Sequence, residues 1–303
     1  MTWQPVYLSS LESGALRETA DELYSHYRAC DLCPRSCGVD RTGEGRGVCG
    51  AGAVLKVSSA HPHFGEEAPL VGRSGSGTIF FSHCGLRCLY CQNWEISHEG
   101  RGSPLEEAEL ARLMLGLQER GCHNINLVTP THYLPGILGA LELAAREGLR
   151  LPVVYNTSGY ESVEMLQRLE GVVDIYLPDV KYAEPAFAAA YSAGAVDYPE
   201  RVETALEEMF RQVGLLQTDP SGVARRGLLI RHLVLPRGIA GSERLVRFVA
   251  ERLDPRVTLN IMAQYRPCYR ASGYPELSRG ITAEEYARVL ALAESQGLCH
   301  IEC

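Results

Sequence analysis

The chain's 303 residues, 46% hydrophobic and 22% charged, hold enough apolar material for one large core and a small appendage. A net charge of −8 excludes a chain-wide attraction to nucleic acid or anionic lipid, which leaves a small molecule or another protein as the expected partner. No run of about eighteen apolar residues occurs, and MTWQPVYLSSLESG carries neither the basic nor the apolar region of a secretory signal, so a soluble, cytoplasmic protein is expected.

In chain order, residues 8–29 place Leu8, Leu11, Leu16, Leu23 and Tyr24 at helical spacing and predict a surface helix. The next stretch, CDLCPRSCGVDRTGEGRGVCG, is broken by Pro34 and five glycines and predicts a loop tied by metal. VGRSGSGTIFF contains G-x-G but leads into a strand, so it reads as a turn and lacks the strand-to-helix setting of a nucleotide loop.

From Thr78, short apolar strands alternate with amphipathic helices. The strands are TIFF at 78, NINLV at 124, LPVVYN at 151, VDIYLPD at 173, LLIRHLVLP at 228 and VTLNIM at 257. Helices are predicted over about 104–120, 135–148, 160–170, 198–215, 241–253 and 282–297. The alternation predicts an α/β fold with a parallel sheet and helical crossovers. Six strands fall short of a complete TIM barrel, so the expected architecture is a partial (β/α)6 TIM-like barrel or a doubly wound sheet, each with its chemistry at the carboxyl ends of the strands. The expected division is a helix and four-cysteine module over 1–73, then the barrel with a C-terminal helix over 74–303.

Eleven cysteines exceed what core filling needs, and cytoplasmic proteins rarely use disulfides, so clustered thiols point to metal or redox chemistry. Cys84, Cys88 and Cys91 form C-x3-C-x2-C directly after TIFF. Three thiolates hold three irons of a 4Fe–4S cube and leave the fourth without a protein ligand, whereas a zinc ion here lacks an obvious fourth ligand. Cys30, Cys33, Cys37 and Cys49 form C-x2-C-x3-C-x11-C, enough to close a second site around structural zinc or an auxiliary 4Fe–4S cluster. Cys122 reads as core, Cys268 as a loop residue, Cys299, His300 and Cys303 as incidental groups near the end of the chain, and His61 and His63 as loop histidines.

The cysteine spacing, with aromatic Tyr90 before the last cysteine, resembles the signature of radical S-adenosylmethionine (SAM) enzymes. The resemblance implies that SAM chelates the open iron through its amino and carboxylate groups. An electron from the cluster then cleaves SAM to methionine and a 5′-deoxyadenosyl radical, which abstracts hydrogen from a substrate. Asp179, Val180 and Lys181 match the D-Φ-K element of activating enzymes in this group, and Lys181 is one of two lysines in the chain. Thr129 and Thr131 stand where those enzymes carry Gly-Gly-Glu for the SAM amino group, a match of position and not of residue type. Asn156 is expected to contact ribose or the methionyl group, and Asn260 or Gln264 to lie near adenine or substrate, with Tyr265 and Arg266 just beyond. Arg231 resembles the arginine of the fifth strand and joins Lys181 as a catalytic candidate ahead of His232, although alternation with Ile230 and Leu233 leaves an outward-facing arginine as the alternative.

The run from CDLCPRSCGVDRTGEGRGVCGAG through HPHFGEEAPLVGRSGSGTIFFSHCGLRCLYCQNWEIS, NINLVTPTHYLP, VVYNTSGYE and VDIYLPDVKY is similar to the PflX family of radical SAM proteins, which are named for their likeness to pyruvate formate-lyase activating enzyme. That likeness implies a reductant such as flavodoxin or ferredoxin, and a glycyl radical enzyme as a partner. A peptide or small-molecule substrate is the alternative, and a metal-binding scaffold without catalysis is the minority one. His83 departs from the small residue common before the first cluster cysteine.

Overall fold

Six strands run parallel in the order in which the chain makes them. The computed structural model describes residues 3–298. Its strands are β1 (Leu55–His63), β2 (Ser76–Phe81), β3 (Ser103–Leu105), β4 (Ile125–Val128), β5 (Val153–Thr157), β6 (Ile175–Val180), β7 (Gln217–Thr218), β8 (Ala224–Leu233) and β9 (Thr258–Met262). Helices are α1 (Tyr7–Ser13), α2 (Ala15–Tyr24), α3 (Ala68–Val71), α4 (Trp94–Ser97), α5 (Glu107–Glu119), α6 (Leu134–Arg146), α7 (Val163–Gln167), α8 (Pro185–Tyr191), α9 (Tyr198–Val213), α10 (Ser242–Phe248) and α11 (Ala283–Ser295). The parallel neighbours are β2–β4–β5–β6–β8–β9, the sequential order of a partial TIM-like barrel; a doubly wound sheet would reverse its order partway.

Strand parity decides which side chains face the barrel interior. Leu70, Val154, Ile175, Leu177, Ala224 and Leu229 form a separate small core that fills it. Side chains two residues apart share a face. Asn156 therefore follows Val154 inward, Asp179 follows Ile175 and Leu177, and Arg231 follows Leu229. The outward alternates, such as Ile79, Tyr155, Tyr176 and Ile230, join the main core beneath the helices.

Three features differ from expectation. The N-terminal segment is two surface helices, not one, broken at Gly14, whose φ of +83° ends α1, and their inner face buries Tyr7, Leu16, Ala20 and Leu23, with α2 packed on α6. His61 and His63 lie on strand β1, where His61 stacks on Phe80 with ring centroids 5.8 Å apart. β1 itself pairs antiparallel with β2, and β3 with β1, so residues 55–63 extend the sheet beyond its first parallel strand.

Gly227 marks a close approach inside β8. Its φ is +128°, and a Cβ there would stand 2.4 Å from Leu216 Cα and 2.5 Å from the Leu215 carbonyl oxygen. Gly227→Ala is expected to cost about 3 kcal/mol or more, read as a lower melting temperature. An unchanged midpoint would contradict this packing.

Among the described residues, no helix is long and apolar enough to cross a membrane.

Candidate functional site

The segment leaving β2 carries the three cysteines and returns through α4. His83 and Arg87 adopt φ of +74° and +51°, and Thr129, at the end of neighbouring β4, adopts +59°. These are costly conformations for residues with side chains, and His83 and Thr129 line one cavity. That cavity, about 440 Å³, is lined by Cys84, Cys88, Cys91, Thr129, Asn156, Asp179, Lys181 and Arg231.

Two of the sulfurs have hydroxyl donors. Ser192 Oγ donates to buried Cys88 Sγ at 3.2 Å, and Ser97 Oγ donates to Cys91 Sγ at 3.2 Å. Burial pushes the Cys88 thiol up to about 12, against the nearby positive charge of Lys181, which favours the thiolate. Tyr90 is buried beneath the loop, its ring edge-on to Tyr182 and Tyr265 at centroid distances of 6.2 and 5.8 Å. The aromatic before the last cysteine thus supports the loop from below while bordering the cavity.

Arg231 organises the opposite wall. Its Nε donates to Asp179 Oδ1 at 2.5 Å, Nη1 to Glu66 Oε2 at 2.9 Å and Nη2 to Asn156 Oδ1 at 2.7 Å. Lys181 Nζ donates to the other oxygen of Asp179 at 3.0 Å. Sheet register produces this meeting, because Asp179 of β6 stands directly beside Arg231 of β8. Burial alone would raise the Asp179 carboxyl, but Arg231 and Lys181 hold it below the usual range. Lys181 is likewise held above its ordinary value by Asp179 and Cys88, despite burial. Glu66 is raised by burial, against the pull of Arg231.

The structure thus brings Asn156, Asp179, Lys181 and Arg231 together and turns Arg231 inward. Two expected contacts do not reach the cavity. Thr131 is buried and donates to Glu161 Oε1 at 2.7 Å, because the chain turns into a short 3-10 segment after Pro130. Asn260 is fully buried and donates to Glu67 Oε1 at 2.8 Å, one layer below the cavity. Gln264 and Tyr265 do line the cavity, while Arg266 and Cys268 are not among its lining residues. His232 faces away and bonds the Val180 carbonyl and Ser242 Oγ. Cys122 is buried, as expected for core. Cys30, Cys33, Cys37 and Cys49 lie outside the cavity, in the irregular segment before β1. Cys299, His300 and Cys303 lie outside the described residues.

Sequence reasoning missed Glu66 and Glu67, which follow an antiparallel strand and so escape a search of parallel strand ends. It also missed Ser192, set among small residues with no distinguishing pattern, and Glu161.

Glu161 is fully buried, and hydroxyls of Thr131, Thr157 and Tyr155 all donate to it. Burial pushes its carboxyl up to about 7 from 4.5, in spite of those donors. The folded chain therefore holds a proton that the unfolded chain releases between these values, and the stability contributed by the protonated form declines as pH rises from 4.5 to about 7. Glu161→Gln keeps the shape and removes the ionisation. Its stability advantage over wild type is expected to be absent near pH 4.5 and to grow to roughly 3 kcal/mol by pH 8. Denaturant melts of both proteins across this range check it; parallel pH profiles would refute the assignment.

The model of the Radical SAM superfamily matches residues 78–218, which include the cysteine loop, Asp179 and Lys181. An uncharacterized protein of Methanocaldococcus jannaschii is 32% identical over 282 residues, covering 90% of this chain and 76% of that protein. A radical SAM methyltransferase from Sphaerobacter thermophilus is similar in fold, with a TM-score of 0.51 at 16% identity over 75% of this chain; the chain spans 65% of that structure's length. The structure of anSMEcpe with bound AdoMet and Cp18Cys peptide gives a TM-score of 0.47 at 12% identity, over 72% of this chain and 60% of that one. By sequence match, residues 78–218 form a radical SAM superfamily domain.

Proposed function

We propose that the chain is an enzyme of the PflX type that cleaves SAM reductively and removes a hydrogen atom from a substrate, taken here as a glycyl residue of a partner protein. The observation that carries the reading is the single cavity shared by Cys84, Cys88 and Cys91 and by the Asn156, Asp179, Lys181 and Arg231 group. Among the described residues, no three His, Cys, Asp or Glu side chains are grouped as a site for one metal ion. A 4Fe–4S cube asks for a different arrangement, since its cysteines ligate separate irons. Three thiols on one loop, with hydroxyl donors at Cys88 and Cys91 and an ammonium near Cys88, fit that demand.

When bound, the cluster supplies the electron that opens the sulfonium of SAM. The chain's own residues hold the ligand for that event. Lys181, which gives one ammonium N–H to Asp179, keeps donors suited to the methionyl carboxylate, while Arg231, committed to Asp179, Glu66 and Asn156, fixes the wall around it. Glu66 borders the cavity and offers a carboxylate for the amino group, in place of the Gly-Gly-Glu acid that Thr129, Pro130 and Thr131 lack. Asn156, oriented by Arg231, faces the same space. The site asks for a one-electron donor such as flavodoxin or ferredoxin.

A peptide or small-molecule substrate is the second reading, favoured by the departure at Thr129 and Thr131 from the activating-enzyme pattern. The test is anaerobic reconstitution with iron, sulfide, SAM and dithionite, followed by chromatography for 5′-deoxyadenosine. Product in excess of a SAM-only control is expected; its absence from a cluster-loaded preparation would overturn the reading. Deuterium transfer from substrate candidates into 5′-deoxyadenosine then separates a glycyl partner from a small molecule.

A further inference from the structure

The four N-terminal cysteines occupy residues 28–54, a segment with no helix or strand. Irregular loops of this length inside a compact fold need some cross-link to hold them. Here three of the four sulfurs are met by an N–H: the backbone amides of Val48 and Ala51 point at Cys37 and Cys49 at 3.4 Å each, and Arg41 Nη1 reaches Cys30 Sγ at 3.5 Å. Convergent N–H donors suit sulfur that carries negative charge, as a metal-bound thiolate does. The loop is shaped around the sulfurs as well: a Cβ on Gly47 would stand 2.8 Å from Cys37 Sγ.

Arg41 gives an independent reason. Its side chain is 1% exposed, lies over the Tyr27 ring at 4.6 Å and donates to the carbonyls of Ala51, Gly52 and His132. No carboxylate among the described residues stands within ion-pair distance of it; besides carbonyls and rings, its neighbours are the thiols of Cys30 and Cys49. A buried cation without a counter-charge is costly. A dicationic iron–sulfur cube bound by four thiolates carries roughly two net negative charges, which would balance it.

We propose that Cys30, Cys33, Cys37 and Cys49, which are not grouped around a single ion, form a second, closed iron–sulfur centre of four thiolates, with Arg41 as its buried counter-charge, and that this centre braces the Cys84–Cys91 loop. The brace is visible in Arg35, between two of the ligands. It donates to Gly85 O at 3.0 Å and to Ser192 O and Ala193 O at 2.8 Å each, and Ser192 is the residue whose hydroxyl reaches Cys88. Cys33 Sγ also stands 3.7 Å from where a Cβ on Gly85 would lie.

The test uses the full chain carrying Cys84→Ala, Cys88→Ala and Cys91→Ala, purified without oxygen, so that its result is independent of SAM cleavage. Elemental and sulfide analysis is expected to find about four iron with four sulfide per chain. That content is expected to vanish on adding Cys33→Ser and Cys37→Ser; about one zinc without iron, no stoichiometric metal, or metal that survives those changes, would overturn the site. Should the added substitutions unfold the loop, iodoacetamide mapping of the triple-alanine chain decides instead: the four thiols should react only after chelation, and immediate reaction in the folded chain refutes the centre. Arg41→Met is expected to weaken metal retention against chelator about 10–100-fold; unchanged retention removes the counter-charge role. Stripping the metal is expected to speed hydrogen exchange over residues 84–91 about tenfold, and unchanged exchange removes the brace.

Discussion

Replacing Arg231 with Met is expected to destabilise the fold by about 3–5 kcal/mol, a drop of roughly 6 °C in melting temperature for a chain of this size. The methionine fills much the same volume, so the loss comes from charge. Glu66 loses its bonded cation, Asp179 keeps only Lys181, and the Asn156 carbonyl oxygen loses its donor, all in a poorly solvated wall. Arg231→Lys is expected to recover only part, because an ammonium cannot reach three acceptors in the planar fork that a guanidinium spans. Adding Glu66→Gln to Arg231→Met removes one orphaned charge and is expected to restore part of the stability. Denaturant melts at pH 7.5 check all three; a loss below about 1 kcal/mol for Arg231→Met would show that water already screens the network.

Replacing Cys88 with Ala is expected to lower 5′-deoxyadenosine formation by at least about 10³-fold, to the level of a chain without cluster. The fold should survive, since the change removes one buried sulfur and leaves Ser192 free to bond elsewhere. Lys181→Met is expected to act on SAM affinity more than on cluster content, because its ammonium lies in the cavity wall beside Asp179. Iron and sulfide content measured with product formation separates the two variants. Cys88→Ala protein that still cleaves SAM would return the three thiols to an unexplained feature of a scaffold.

The barrel was legible because its strands are buried on both faces, so they read as short apolar runs between amphipathic helices. Their carboxyl ends were legible for the same reason; strand-end position singled out Asn156, the family resemblance singled out Asp179, Lys181 and Arg231, and all four line one cavity. What escaped was set by tertiary pairing. β1 carries His61 and His63 in a run that looks like a loop until it pairs with β2. Glu66 and Glu67 look like an exposed acidic turn until Arg231 and Asn260 are brought to them from far along the chain. Thr131 sat at the right strand end, yet one turn of 3-10 helix points its hydroxyl at Glu161, a partner thirty residues away that no local pattern announces.

The alignment of Asp179 with Arg231 has a meaning for assembly as well as for chemistry. Parallel strands as apolar as β6 and β8 could pair one residue out of step with little loss of greasy contact. A slip of one residue, however, would swing the guanidinium to the helical side and strand a carboxylate inside the barrel. The charged wall therefore proofreads the sheet: a chain that closes in the wrong register is penalised before it is finished, and only the form able to bind its ligand is the comfortable one.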